Sequence, residues 1–182
     1  KITPYQNPNA NVGPINFVII PEYKKTNPET YTKGITIGRV DNVRPNESIL
    51  SPHYNTLSKL NCILASIEAN KHGYDEGIMN DINGNISTCN STNLFFVQDN
   101  KVITSNGEYC LNGITRGKTL QLCHENNIQC NEMNFTFEDI RKCDEAFVTG
   151  TFAGIIPVSK LEGKELKSTN PSSMVNKIRK LY

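Results

Sequence analysis

The cysteines and histidines of this chain are its candidate zinc ligands, and the cysteines could also form disulfide bonds. They are Cys62, Cys89, Cys110, Cys123, Cys130, Cys143, His53, His72 and His124. No two cysteines form a Cys-x-x-Cys pair, and a zinc site would need closer cysteine pairs and better-placed histidines. The spacing therefore predicts no metal site, and reduced, mostly buried thiols in a cytoplasmic protein.

Composition narrows the class of partner. The chain has 182 residues, of which 37% are hydrophobic and 20% charged, and its net charge is +1. These values are typical of one domain with a packed core. Because no basic arm or acidic tail is present, neither nucleic acid nor a membrane is predicted as a partner. The chain begins with Lys1 and shows no signal-peptide segment, so we expect a fragment or a processed chain.

A change of hydrophobic period marks a long helix in the first half of the chain. An extended stretch ends at Asn55, and apolar residues then recur at the spacing of one helix face from Thr56 onward. The residues of that face are Leu57, Leu60, Leu64, Ile67 and Lys71. His72-Gly73 is typical of a helix end, because glycine is common after a last turn.

The remaining elements alternate between strands and helices. Apolar and β-branched runs predict strands at 15–20, 34–40, 76–81, 86–89, 92–98, 101–105, 127–135, 146–150 and 154–163. Helices are predicted after Gly113, from Thr136 with Asp139 as a capping partner, and from Pro171-Ser172 to the last residue. The pattern predicts an α+β fold over residues 14–182, preceded by a linker or loop at 1–13.

Four segments in this order resemble the class IV pyridoxal-phosphate aminotransferases. They are NTLSKLNCILASIEANKHGYDEG, NGNISTCNSTNLFFVQDNKVITS, LNGITRGKTLQL and CDEAFVTGTFAGIIPV. The family includes branched-chain and D-amino-acid aminotransferases and aminodeoxychorismate lyase. The resemblance implies the large C-terminal domain of the D-amino-acid aminotransferase-like fold (pyridoxal-phosphate fold type IV), with the small N-terminal domain absent. It also implies a homodimer, and the missing domain would leave a pocket wall open to a partner protein.

The resemblance implies a cradle for the phosphate of pyridoxal 5'-phosphate. Gly113-Ile114-Thr115-Arg116 matches the family's Gly-Ile-Thr-Arg motif at a helix N-terminus, where backbone amides favour anions. Ile114 and Thr115 are thus candidate cofactor contacts. Gly150 and Thr151, in Thr149-Gly150-Thr151, match a second phosphate contact. The alternative for the first motif is an ordinary helix cap.

The lysine that holds the cofactor in this family has no counterpart at the matching position. Counted back from Glu68-Ala69, that position is Asn55, or Tyr54 with one more residue in the interval. An amide cannot form the Schiff base that this chemistry needs. Asn55 is suited instead to cap the following helix. Lys59, one helical turn on, is the candidate surrogate amine, and its alternative is a surface lysine.

The carboxylate that faces the ring nitrogen in the family is also replaced. The family places a glutamate five residues before the asparagine matched by Asn93, and this chain has Thr88 there. Threonine can hydrogen-bond a neutral pyridine but cannot hold a pyridinium proton. Gly154 stands where many members have glutamate. Arg44 is a candidate contact for a substrate carboxylate, or a surface arginine.

Three functions follow from these expectations. The favoured one is a catalytically degenerate class IV protein, a pseudoenzyme that still binds pyridoxal phosphate or another phosphate compound. The second is an active transaminase or lyase of amino-acid metabolism that uses Lys59, with an amino acid and a 2-oxo acid as substrates and the small domain supplied elsewhere. The third is an interaction domain without a ligand.

Overall fold

A single mixed sheet organises the chain, and the computed structural model describes residues 17–182. The helices are α1 (Glu29–Lys33), α2 (Leu60–Lys71), α3 (Ile114–Glu125), α4 (Phe137–Ile140) and α5 (Met174–Leu181). The strands are β1 (Ile35–Arg39), β2 (Glu76–Asn80), β3 (Ile86–Cys89), β4 (Asn93–Gln98), β5 (Lys101–Thr104), β6 (Cys130–Glu132), β7 (Glu145–Gly150), β8 (Gly154–Leu161) and β9 (Lys164–Glu165). The predicted α+β class is confirmed.

The nine strands run in the order β3-β2-β1-β8-β7-β4-β5-β6, and β9 pairs with β8. β1 pairs in parallel with both β2 and β8, and β5 pairs in parallel with β6. The other pairings are antiparallel. The ends of β3, β4 and β7 come together because β4 lies beside β7 and follows β3 through a three-residue connection, 90–92.

β4 packs on both faces of the sheet because successive side chains of a strand alternate. Phe95 stacks on Phe147 with ring centroids 4.8 Å apart, in the cluster covered by α3 and α5. Phe96 meets Phe135 edge to face at 4.9 Å, in the larger cluster on the opposite side. An apolar run without alternation, NLFFVQ, therefore belongs to a strand buried on both faces.

The long helix differs from its prediction at its start and on its exposed face. α2 begins at Leu60 rather than near Thr56, because residues 56–59 form a separate turn in which Lys59 N–H donates to Leu57 O at 2.9 Å. The face at Leu57, Leu60, Leu64 and Ile67 is exposed, and the sheet side holds Ala65 and Ala69. Small residues pack there because the helix lies close to β2.

Four smaller differences concern the presence or the bounds of single elements. The strand predicted at 15–20 is not formed at 17–20, where Phe-Val-Ile-Ile is exposed and outside regular structure, while 15–16 and the predicted linker at 1–13 lie outside the described residues. A short helix, α1, lies just before β1, where no helix was predicted. α5 begins at Met174 with Ser173 as its cap, two residues beyond the predicted start. The strand predicted at 127–135 is three residues long.

The capping prediction for α4 is confirmed. The Asp139 carboxylate accepts hydrogen bonds from the backbone N–H and the hydroxyl of Thr136, both at 2.8 Å. The six cysteines are free thiols, four of them buried and Cys62 and Cys130 half-buried. Within residues 17–182, no helix is both long enough and apolar enough to cross a membrane.

Candidate functional site

A cavity of about 640 Å³ opens where the turn before α2, the β3–β4 connection, the start of α3 and the β7–β8 turn converge. This volume lies in the range of small-molecule sites. The sequence-predicted residues that line it are Arg44, Tyr54, Asn55, Lys59, Thr88, Ile114, Thr115, Gly150 and Thr151. The fold thus brings together residues from five segments of the chain: the loop after β1, the turn before α2, the end of β3, the start of α3 and the β7–β8 turn.

The N-terminus of α3 forms one wall with free backbone donors. The first helical hydrogen bond runs from Gly117 N–H to Gly113 O at 2.9 Å. Within the described residues, no acceptor is found for the N–H groups of Ile114, Thr115 and Arg116. Such unpaired amides, together with the helix dipole, favour an anion at this end of the helix.

A close approach of two chain segments explains the glycine before α3. A Cβ atom at Gly113 would lie 2.6 Å from Asn93 Oδ1, too close for any other residue without a shift. Asn93 is buried at the start of β4, and its amide donates to Leu111 O at 2.9 Å. The Gly113–Asn93 contact therefore fixes the start of α3 against the central strands.

Thr149 carries an unpaired polar atom at the cavity. It is the last residue but one of β7, opposite Asn93. It is 2% exposed, and its hydroxyl has no hydrogen-bond partner in the part of the chain that the structure describes. Leaving such a hydroxyl unpaired costs about 1–3 kcal/mol. Thr149 lines the cavity, so a group bound there is a candidate partner for this hydroxyl.

The arginine of the Gly-Ile-Thr-Arg segment has a structural role. Arg116 is buried, and its guanidinium donates to Ser105 O at 2.7 Å and to Glu132 Oε2 at 2.5 Å. Glu132 ends β6, so the ion pair fastens α3 to the edge of the sheet. A bound phosphate would contact the amides of this helix rather than its arginine.

Asn55 and Lys59 lie together at the exposed side of the cavity. The Lys59 ammonium donates to Asn55 Oδ1 at 2.5 Å, so the expected proximity of these two side chains is met. The prediction that Asn55 caps the helix is wrong, because α2 begins only at Leu60 and Lys59 occupies the cap position. Both side chains are exposed, and among residues 17–182 no carboxylate pairs with the Lys59 amine.

Thr88 sits deep in the cavity wall and is buried. Its hydroxyl donates to Thr92 O at 2.7 Å across the β3–β4 connection. A hydrogen bond from Thr88 to a neutral pyridine would replace this internal bond, and that role stays a prediction.

A carboxylate that the sequence reading missed lies behind the same wall. Glu76 begins β2, and its two oxygens accept hydrogen bonds from Ser91 Oγ at 2.5 Å and Thr92 Oγ1 at 2.7 Å. Burial raises the pKa of Glu76 above its usual value, against the lowering effect of these hydroxyls. One acidic residue at the start of a buried strand gives no signal of this contact in the sequence.

Arg44 reaches the cavity from the loop after β1. It is half-buried, donates from Nη1 to Cys62 Sγ at 3.0 Å, and approaches Tyr109 O at 3.5 Å. It supplies positive charge to the cavity wall. Its candidate role toward a substrate carboxylate stays a prediction.

Gly154, in contrast, lies beside a different contact. Its φ is +67°, and a Cβ atom would lie 2.9 Å from the ring of Tyr182. A glutamate would be strained there and would displace the tyrosine. The glycine is therefore explained by the packing of the last residue.

These features define a class of protein. A mixed sheet that brings a helix N-terminus, a Thr-Gly-Thr turn and the start of a long helix to one cavity is the fold of the large domain of pyridoxal-phosphate aminotransferases of fold type IV. The family model "Amino-transferase class IV" matches residues 4–161, and the chain belongs to this family.

Relatives with known names agree with this assignment. "Branched-chain-amino-acid aminotransferase-like protein 2" of Arabidopsis thaliana is 31% identical over 186 residues, which cover 100% of this chain and 32% of that protein. A putative branched-chain-amino-acid aminotransferase of Methanocaldococcus jannaschii is 32% identical over 74% of this chain and 47% of its own length. The chain thus spans a third to a half of these two relatives.

Solved structures show the same fold. An aminotransferase from Brucella abortus bound to the cofactor pyridoxal phosphate superposes with a TM-score of 0.79 at 26% identity, over 87% of this chain and 56% of that one. The branched-chain amino acid aminotransferase of Escherichia coli gives a TM-score of 0.76 at 30% identity, over 81% and 51%.

Proposed function

We propose that this protein binds a phosphorylated ligand, with pyridoxal 5'-phosphate as the first probe, and that it lacks the lysine-based chemistry of its relatives. One observation carries the proposal. The hydroxyl of Thr149 is buried at the cavity without a partner among the described residues. The start of α3, whose first N–H groups have no acceptor among those residues, lines the same cavity. An unpaired hydroxyl and unpaired N–H groups are together the hydrogen-bonding surface that a phosphate satisfies.

The phosphate end of pyridoxal phosphate fits the cavity and the reactive end does not. Ile114, Thr115, Gly150 and Thr151 would hold the phosphate through backbone N–H groups and hydroxyls. When bound in an aminotransferase, this cofactor supplies an electron sink for carbanion chemistry. Here the position of the covalent amine is Asn55, which has no amine to offer.

Binding is tested with three compounds that separate phosphate from ring. Inorganic phosphate, pyridoxal 5'-phosphate and pyridoxal are titrated into the protein by calorimetry. We expect the two phosphate compounds to compete for one site and pyridoxal to bind much more weakly. Thr151→Val should weaken phosphate binding about tenfold, since a hydrogen bond to a charged group is lost. Equal affinity for pyridoxal and its phosphate would refute the cradle.

A second candidate is an active aminotransferase that uses Lys59. The favouring observation is that Lys59 lines the cavity and its Nζ lies 2.5 Å from the side chain of Asn55. In that case the reaction would move an amino group between an amino acid and a 2-oxo acid. Arg44 would then be the candidate partner of the substrate carboxylate.

Borohydride reduction separates the two candidates. The protein is incubated with pyridoxal phosphate, reduced, digested and mapped by mass spectrometry, with Lys59→Arg as the matched variant. The degenerate protein should give only scattered substoichiometric labelling of surface lysines. One labelled Lys59 per chain, abolished in the variant, would establish the second candidate instead.

We also propose that the protein is a homodimer. Leu57, Leu60, Ile63, Leu64 and Ile67 form an exposed apolar face on and before α2. Contiguous apolar faces of this kind are typical of protein–protein contacts. Because Ile63 also lines the cavity, a second copy seated on this face would narrow the cavity's open side.

A further inference from the structure

A second cavity, of about 370 Å³, lies beside the β7–β8 turn and is bounded by α1 and the end of α5. Its volume is also in the range of small-molecule sites. It is lined by Tyr31, Arg179, Tyr182 and residues 151–155. Among the described residues, Thr151 is the one that it shares with the first cavity, so the two cavities are distinct.

Arg179 has a fixed position in this second cavity. Its Nη1 donates to Asn176 Oδ1 at 2.7 Å and to Tyr31 O at 3.2 Å. The Tyr31 ring faces the same guanidinium, whose central carbon lies 4.8 Å from the ring centroid. Tyr31 is held in turn, because its hydroxyl donates to Ala153 O at 2.9 Å. The guanidinium is therefore oriented before any ligand arrives, which lowers the entropic cost of binding one.

One edge of this guanidinium is free to bind a ligand. Among residues 17–182, neither Nε nor Nη2 of Arg179 has an acceptor, and no carboxylate pairs with it. Two adjacent N–H groups of a guanidinium match the two oxygens of a carboxylate. Arg141 provides the contrast: it also faces a ring, that of Phe137, but it is paired with Glu138 and Glu162.

The other lining residues suit a flat apolar body. Phe152 and Tyr182 are exposed, and both line the cavity. Aromatic rings stack favourably on one another and add buried apolar area. Arg179 carries the one charged side chain among the lining residues, which matches the single negative charge of a carboxylate.

We propose that the second cavity binds a small carboxylate with an aromatic body, through the free edge of Arg179 and the rings of Phe152 and Tyr182. This site goes beyond the proposed phosphate-binding function and does not depend on it.

The test uses para-fluorobenzoate as the probe. Its fluorine NMR signal is followed as the protein is added, and we expect a saturable shift and broadening. The matched compound is para-fluorobenzamide, which has nearly the same shape and no charge. It should bind at least about tenfold more weakly, because the charge-assisted hydrogen bonds to Arg179 are lost. Equal binding of the two compounds would overturn the proposal.

Variants of Arg179 test the residue itself. Arg179→Gln should weaken binding of the benzoate at least about tenfold. Arg179→Lys keeps the charge but not the paired N–H groups, so its affinity should be intermediate. Arg141→Gln is the matched control, since Arg141 faces a ring but lines neither cavity, and it should bind the probe as the wild type does.

Phe152→Ala tests the site without touching the contacts between α5 and α1. Phe152 is exposed, so this variant should melt as the wild type does. It should bind the benzoate about five- to tenfold more weakly, because an aromatic contact is lost. The proposal is wrong if the wild type does not bind the benzoate, or if neither Arg179→Gln nor Phe152→Ala changes its affinity.

Competition with inorganic phosphate at constant ionic strength separates the two cavities. Displacement of the benzoate by phosphate, with its binding unchanged in Arg179→Gln, would place the probe in the first cavity and overturn the proposal. Failure of the phosphate compounds to bind, with benzoate binding that depends on Arg179, would overturn the proposed function and support this second site.

Discussion

Thr149→Val should change stability and ligand affinity in opposite directions. The hydroxyl of Thr149 is buried without a partner among the described residues, at a cost of about 1–3 kcal/mol. Valine has nearly the same shape and no hydroxyl, so the free energy of unfolding without ligand should rise by about 1 kcal/mol. For a chain of this size that corresponds to a melting temperature about 2–4 °C higher. The affinity for inorganic phosphate should fall about 10–100-fold, because a hydrogen bond to a charged group is lost.

The measurement is thermal unfolding with and without saturating phosphate. Wild-type protein should be stabilised by phosphate, and Thr149→Val should start higher and gain less. Thr104→Val is the control: it loses an internal hydrogen bond to Leu94 O, so it should melt lower and gain as much as the wild type. If Thr149→Val behaves like this control, the Thr149 hydroxyl has a partner inside the protein and the ligand argument fails.

Three further predictions concern the fold and the assembly. Glu132→Gln should lower the free energy of unfolding in denaturant titrations by about 1–3 kcal/mol, because Arg116 stays buried without its carboxylate. An unchanged denaturation midpoint would show that the ion pair does not stabilise the protein. The Thr136 backbone N–H and hydroxyl lower the pKa of Asp139 below its usual 3.8, so Asp139 stabilises the protein at neutral pH and this contribution is lost as pH falls below that value. The difference in melting temperature between the wild type and Asp139→Asn should therefore shrink in acid, and a constant difference would contradict the assignment. Leu64→Glu should halve the mass measured by light scattering while the melting transition remains cooperative; a wild-type protein that is already monomeric would refute the dimer.

Strand positions could be predicted from the sequence because burial on both faces leaves a clear apolar signal. β4 and β7 are continuous apolar runs, and both lie at the centre of the sheet. α2 gave a misleading signal, since its periodic leucines face outward and two alanines make the sheet contact. A hydrophobic period locates a helix face but does not say which neighbour covers it.

The candidate site likewise contains residues that the sequence could place and contacts that it could not. Motif positions such as Ile114 and Thr151 could be placed at one cavity because their segments occur in the family's order. The unpaired state of Thr149 and the contact of Glu76 with the β3–β4 connection depend on which strands are neighbours. Register between strands distant in sequence leaves no local pattern, so these groups had to be found in the structure.

Two residues of the Gly-Ile-Thr-Arg segment are explained by the fold alone, without a bound ligand. Gly113 is required by its contact with Asn93, and Arg116 holds α3 to β6, so replacing either would destabilise the fold. Their presence is weak support for binding. The side chains of Asn55 and Lys59 are exposed, so the fold places little constraint on which residues stand at these positions. The hydroxyl of Thr149 is different, because it has no partner among the described residues, and we expect valine to serve the unliganded fold better. A buried hydroxyl that the unliganded fold does not need supports a ligand more strongly than motif residues that the fold itself explains.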